Sequence, residues 1–505
     1  VTALETRAPA ATQLDADVLI IGAGFGGLGM AIRLKRSRKA SFLVLERAAE
    51  LGGTWRDNIY PGCACDIPAM LYSFSFTRNA DWSRIYPQQP EILAYLKRTA
   101  RKEGILGRVR FNSTVAEARF DAAANVWTTT LTDGTRLHSR IIVSAMGPLN
   151  KPKFPDIPGR DDFAGPSFHS SQWNYDVDLH GKRVAVIGTG ASAVQFIPQI
   201  APQAAQLSVF QRTPPWVIPR GDMPVSSGRR TARRHVPWYA ALVRKAIYWI
   251  LELRALGFVM FPQVLARRER DFLRFLEFCV PDEELRAKLT PTYRAGCKRI
   301  LISDDFYPAL QRPNVELLTE PIARIGRNEI VTGSGRRIPA DVIIYGTGFN
   351  ATSGIAPVRV FGVNGAELGQ IWRDGMQAYL GTTVAGFPNL FMVIGPNTGL
   401  GHNSMIFMME AQYRYILKAI AYVKRKKRRA VDVKAEVMRQ FNAGVQRRMR
   451  GTVWASGCSS WYQDANGTNV SLWPGFTFVY RSLTARFNSK HYVTTDASAN
   501  AISAP

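Results

Sequence analysis

Two charged residues of opposite sign, Glu46 and Arg212, each stand 24 positions after the first glycine of a glycine-rich turn. The first turn, Gly22-Ala23-Gly24-Phe25-Gly26-Gly27, follows an apolar run at 17–21, and the next apolar run, 42–45, ends in Glu46. The second turn, Gly188-Thr189-Gly190-Ala191-Ser192-Ala193, follows 183–187, and its second run, 207–211, ends in Arg212. A carboxylate in that place accepts both ribose hydroxyls of an unphosphorylated adenosine and repels a 2'-phosphate, whereas a guanidinium pairs with one. The contrast assigns FAD to the first turn and NADPH to the second.

Such turns work only between a strand and a helix. Their glycines let the backbone approach a pyrophosphate, and the following helix N-terminus supplies free N–H groups and partial positive charge. Gly22, Gly24 and Gly27 take this part for FAD. Gly188, Thr189, Gly190, Ser192 and Gln195 take it for NADPH, with Arg212, Thr213 and Lys298 around the 2'-phosphate. The expected fold is therefore α/β: two dinucleotide-binding, Rossmann-like domains, with a helical insertion in the second.

Between these sites lie Gly53-Thr54-Trp55, Tyr60-Pro61-Gly62 and Asp66, and farther on Phe163-Ala-Gly-Pro-Ser-Phe-His169-Ser-Ser-Gln-Trp173. On these motifs nearly the whole chain resembles the class B flavoprotein monooxygenases, specifically the Baeyer-Villiger monooxygenases. Asn174 departs from the proline or aspartate usual after the tryptophan. The resemblance implies that NADPH reduces FAD, and that reduced FAD traps O2 as a C4a-peroxide. This would insert one oxygen beside a ketone carbonyl to give an ester or lactone.

By the same resemblance Arg299, in Gly296-Cys297-Lys298-Arg299, stabilises the peroxide, because a guanidinium holds its charge without donating a proton. Asp66 would hold that arginine by a charge-assisted pair; the bland alternative is a turn residue before Pro68. Thr54, Trp55 and Tyr72 resemble flavin-contacting residues, although core packing also explains aromatics. Trp461 would close over the nicotinamide, and His169 would couple domain rotation to cofactor position. Asn397, His402 and Asn403 lie in a glycine-rich stretch expected at the flavin's pyrimidine edge, where a structural turn is the competing reading.

The expected division runs 1–147 (FAD, first part), 148–339 (NADPH, with the insertion at about 214–297), 340–487 (FAD, second part) and a disordered tail, 488–505. A net charge of +26, from 65 basic and 39 acidic residues, suits two polyanionic cofactors. It also leaves open peripheral contact with an anionic membrane surface. The tract Lys424 to Arg429 reads as a solvated helix end, so no nucleic-acid partner is expected. Residues up to Gln13 lack an apolar signal core. Five cysteines without disulfide or zinc spacing fit a reducing cytoplasm, with no metal site. A monomer or weak homo-oligomer is expected, acting on O2 and a small apolar ketone. Trp238, Trp249, Phe258, Phe261 and Trp473 are expected to shape a bulky apolar pocket.

The nearest competing function is oxygenation of nitrogen or sulfur by a related flavin monooxygenase, which shares both glycine motifs but usually lacks the stretch from Gly53 to Asp66. A flavin disulfide reductase is the remote alternative. It needs a redox pair of cysteines, and Cys63 and Cys65 are too close in sequence for the usual one.

Overall fold

The computed structural model describes residues 13–350, 358–426 and 428–496. Its largest sheet has eight strands. At its centre Ala16–Ile21 runs parallel to Phe42–Leu45 on one side and to Arg136–Ser144 on the other. The buried run Val18, Leu19 and Ile20 has almost no exposed surface, as expected of a parallel strand covered on both faces. An antiparallel meander, Val115–Asp121 and Val126–Leu131, feeds into the first half of Arg136–Ser144. The second half of that strand pairs with Leu390–Met392, so the late chain returns to this sheet.

The second sheet has five parallel strands in the order Val315–Leu318, Gln206–Phe210, Arg183–Ile187, Val342–Tyr345 and Ser167–His169. The strand at 342–345 was expected to open the return to the first sheet. It instead closes the second, beside Arg183–Ile187, and the chain re-enters the first sheet only at Arg359–Phe361. Strand signals alone cannot say which of two similar sheets receives a strand; the partner register decides.

Three further expectations are corrected. Residues 488–496 are not a disordered tail: Ser489–His491 forms a 3-10 turn and Tyr492–Asp496 pairs antiparallel with Arg428–Val433. Residues 497–505 lie outside the described ones. The basic tract is only partly a helix end, because Met405–Arg425 stops and the strand from Arg428 begins within it. Cysteines 297 and 458 form a disulfide across a separation of 161 residues, with Cα atoms 6.1 Å apart. No local spacing could show that pairing, and the cysteine argument for a reducing compartment falls with it.

From 227 to 289 the chain is helical: Ser227–His235, Pro237–Ala255, Pro262–Cys279 and Glu283–Leu289. Among the described residues no single helix is long and apolar enough to cross a membrane.

Candidate active site

Both glycine turns fold into the same geometry. Gly22 and Gly188 have φ of +102° and +103°, a left-handed region that favours glycine. A Cβ on either would lie 2.7 Å from a carbonyl oxygen, Ala145 O in one case and Gly346 O in the other. The helices that follow, Phe25–Ser37 and Ala191–Ile200, begin at Gly24 and Gly190 in near-identical extended conformations, and neither has a side-chain cap. Their first-turn N–H groups are therefore free to meet a pyrophosphate, which is the donor set a dinucleotide needs.

The charges at the second strands differ in more than sign. Glu46 is buried; it accepts the N–H groups of Ala23 (2.8 Å) and Ala48 (3.1 Å) and pairs with Arg56 (2.7 Å). Arg212 is exposed, and no carboxylate pairs with it or with Lys298 among the described residues. Burial, and then the neighbouring Arg212 charge, hold the Lys298 ammonium below the usual lysine range. Two cations that repel each other beside a nucleotide turn are what a 2'-phosphate would relieve.

A cavity of about 2480 Å³ opens between the sheets. Of the expected site residues, Thr54, Trp55, Asp66, Tyr72, Gly188, Thr189, Gly190, Ser192, Gln195, Arg212, Thr213, Lys298, Arg299 and Trp461 line it. Gly22, Gly24, Gly27 and Glu46 lie outside its wall. Gly24 lies against Gly53, which precedes Thr54 of the wall and whose Cβ, were there one, would sit 3.0 Å from the Cα of Gly24. Asn397 does not face the cavity: it is buried, and its amide donates to the carbonyls of Asn469 (2.9 Å) and Leu472 (3.0 Å). The turn reading of that loop holds for Asn397, while His402 and Asn403 do reach the cavity wall.

The two family motifs, the fingerprints running from Gly53 to Asp66 and from Phe163 to Trp173, have a mechanical reason. Gly62 has φ +77°, and a Cβ there would stand 2.6 Å from Gln195 O on the second nucleotide helix. The Gln195 amide receives hydrogen bonds from Tyr60 Oη and Ala64 N, both 3.2 Å, and donates to Ala64 O (3.1 Å) and Asp66 (3.3 Å). Trp173 packs on Phe196 of the same helix, and Phe196 also meets Tyr60. Both fingerprints thus converge on one helix face. Asn174 closes a local turn by accepting the Asp176 N–H at 2.9 Å, a bond aspartate would also make.

Asp66 reaches Arg299 at 2.9 Å. Burial opposes the Arg299 charge, but the Asp66 carboxylate outweighs it and raises the guanidinium above the ordinary arginine range. The arginine keeps 40% of its side chain exposed, so it can face a reacting group while held from behind. Trp55 donates its indole N–H to Tyr72 Oη at 3.0 Å. His169 is buried between Phe154 and Phe349, on the two crossings between the sheets, and burial pushes its imidazole down to about 4. It is therefore neutral near pH 7.

Two features escaped the sequence. The disulfide joins Cys297, next to Lys298 and Arg299, to Cys458, three residues before Trp461, and so ties together two parts of the cavity wall. Glu252 is almost fully buried within its helix, accepting hydrogen bonds from Asn403 (2.6 Å) and from the Thr477 N–H and hydroxyl. A carboxylate within an apolar helical stretch was the available signal. Beside it, His402 is pushed down to about 4 by burial. Of the five pocket aromatics, Phe258 and Phe261 line the cavity, whereas Trp473 is core and Trp238 and Trp249 are exposed.

A family profile described as pyridine nucleotide-disulphide oxidoreductase matches residues 19–227. Its nucleotide-binding turns are present, but Cys63 and Cys65 are free, buried thiols whose pKa burial raises, unlike a reactive redox pair. A Baeyer-Villiger monooxygenase of Pseudomonas aeruginosa is 44% identical over 503 residues, covering 99% of this chain and 95% of that one. A steroid monooxygenase bound to NADP superposes with a TM-score of 0.85 at 29% identity, covering 95% of this chain and all of the other. A complex called OTEMO, with FAD and NADP, gives 0.85 at 28% identity over 96% and 100% of the two chains. The duplicated turns, the cations Arg212 and Lys298 beside the second and the Asp66–Arg299 pair, taken with this identity across the full length, mean that the chain belongs to the Baeyer-Villiger monooxygenases, which use FAD and NADPH.

Proposed function

We propose that this chain converts a bulky apolar ketone into an ester or lactone, and that the Asp66–Arg299 pair is its catalytic centre. The observation that carries the reading is that pair, 2.9 Å apart and in the wall of the cavity that also holds the second nucleotide turn. When bound, FAD and NADPH supply the electrons that activate O2. Arg299 would present fixed positive charge to that chemistry from the cavity wall, at no cost of reorientation because Asp66 already holds it. Gln195 fixes Asp66 from the second nucleotide helix, so the placing of NADPH and of Arg299 is mechanically linked. Phe258 and Phe261 offer apolar wall to the ketone, and the steroid monooxygenase among the structural relatives accords with a polycyclic substrate. In this reading FAD belongs to the eight-stranded sheet and NADPH to the five-stranded one, supported by the turn that each sheet carries.

The test is product analysis with a panel of ketones and one thioether. Arg299→Ala should keep its yellow flavin and lose ester formation by about a hundredfold or more. Ester production at the parent rate would make Arg299 a bystander. A parent enzyme that oxidises the thioether but no ketone would move the assignment to sulfur oxygenation.

A further inference from the structure

We infer that the bent helical insertion is a docking surface for an anionic lipid bilayer, with the mouth of the cavity opening onto it. On Pro237–Ala255, Trp238, Leu242, Trp249 and Leu253 are exposed by 70%, 57%, 44% and 60%. At ~100° per residue these four fall within about 60° of one another around the helix. The opposite side carries Ala240, Leu251 and Ala255, all buried. The helix therefore has two apolar faces, and the protein covers one. The patch continues through Phe478, exposed and in ring contact with Trp249 at 6.0 Å.

The chain turns by 109° between Pro237–Met260 and Pro262–Cys279, and Met260 and Phe261 at the bend are half exposed. Ile250, Leu253, Phe261 and Val264 are at once exposed and part of the cavity wall. The rim of the cavity is thus continuous with the uncovered apolar face.

The charges select the occupant. Arg229, Lys245, Arg254, Arg267 and Arg270 are exposed on these helices with no carboxylate partner among the described residues. Lys245 stands at the edge of the apolar face, where a long stem can lie along apolar surface with its ammonium among headgroups. Two tryptophans on the same face suit the headgroup boundary of a bilayer. Unpaired cations around an apolar face complement anionic lipid, and among the described residues no single helix is long and apolar enough to cross a membrane. That the ketone enters from the lipid rests on the proposed chemistry; the docking face does not.

The experiment is co-sedimentation of the full-length, FAD-loaded protein with phosphatidylcholine vesicles and with phosphatidylcholine–phosphatidylserine vesicles. Binding should be strong only to the second and should weaken with salt. Combined Trp238→Ser, Leu242→Ser and Trp249→Ser substitutions should lower partition about tenfold while leaving bound FAD and ketone-free NADPH oxidation unchanged. Should that variant misfold, Arg267→Glu with Arg270→Glu, both at exposed positions, should lower partition selectively on the anionic vesicles. Parent-like partition of a folded variant overturns the proposal, as does equal binding to both vesicle types. A solution dimer, seen by light scattering and abolished by the same substitutions, would make the face a self-interface and likewise overturn it.

Discussion

The two nucleotide turns share their backbone and differ in how the protein closes around them. Gly22 and Gly188 match within a degree in φ, and each stands 2.7 Å, by its absent Cβ, from a crossing-strand carbonyl. The third small residue separates them. A Cβ on Gly27 would come within 1.8 Å of Gly22 O, whereas the second turn carries the Cβ of Ala193 there, fully buried beside Gly346, where a side chain would stand 3.0 Å from it. The reading charges diverge likewise: Glu46 is buried with three partners, and Arg212 is exposed without a carboxylate. A closed, preorganised site suits a cofactor that stays. An open one, completed by an arriving anion, suits a coenzyme that must come and go.

The largest expected effect breaks the comparison at its third residue. Gly27→Ala should yield no soluble, flavin-loaded protein, because the clash is with backbone that cannot move aside. Ala193→Gly should cost ~1 kcal/mol of stability and leave the KM for NADPH near the parent value. Flavin absorbance and thermal melting read both, and stoichiometric FAD in the Gly27 variant would show that the turn relaxes.

Next in size, Arg212→Ala should raise the KM for NADPH by roughly 10- to 100-fold, the worth of a charge-assisted contact, with little change for NADH. Equal use of both coenzymes by the parent enzyme would refute the 2'-phosphate reading. Lys298→Ala should act in the same direction and less strongly, since removing it also relieves its repulsion with Arg212.

A smaller, severalfold rise in the same KM is expected for Cys458→Ser, which frees residues 459–468 from Cys297 and so loosens Trp461 in the cavity wall. Melting should fall by the equivalent of about 2–4 kcal/mol. FAD content should not change, because neither cysteine touches the first turn. An unaltered KM would limit the disulfide to stability.

The mildest probe is salt. Exposed charges are screened at ionic strengths that leave buried pairs almost untouched. Raising it should lift the KM for NADPH about threefold while the flavin remains bound. Release of FAD at the same salt would mean that Glu46 and its partners are not closed as their burial indicates.

Local geometry is why so much of this was legible beforehand. A glycine turn, the strand before it and the charge at the end of the next strand lie within one βαβ unit, and so Gly22 to Glu46 and Gly188 to Arg212 could be read along the chain. Family resemblance extended the reading to Asp66 and Arg299, which are 233 residues apart and pair at 2.9 Å. Composition and loop position read less well, because a residue's direction depends on distant neighbours. Asn397 turned inward to Asn469 and Leu472, Trp473 went to the core, and Trp238 and Trp249 went to the surface, although all four had plausible reasons to face a pocket.

The sequence by itself determined the duplicated α/β plan, the opposite charges that follow its two turns and the residue types available for oxygen chemistry, because period, turn and charge are short-range properties. Only the tertiary structure decided which sheet the strand at 342–345 joins, that Gln195 connects the fingerprint to the second helix, that Cys297 meets Cys458, and which apolar helix face stays uncovered. Each of these depends on residues far apart in the chain whose separation folding abolishes, and no local pattern records that proximity.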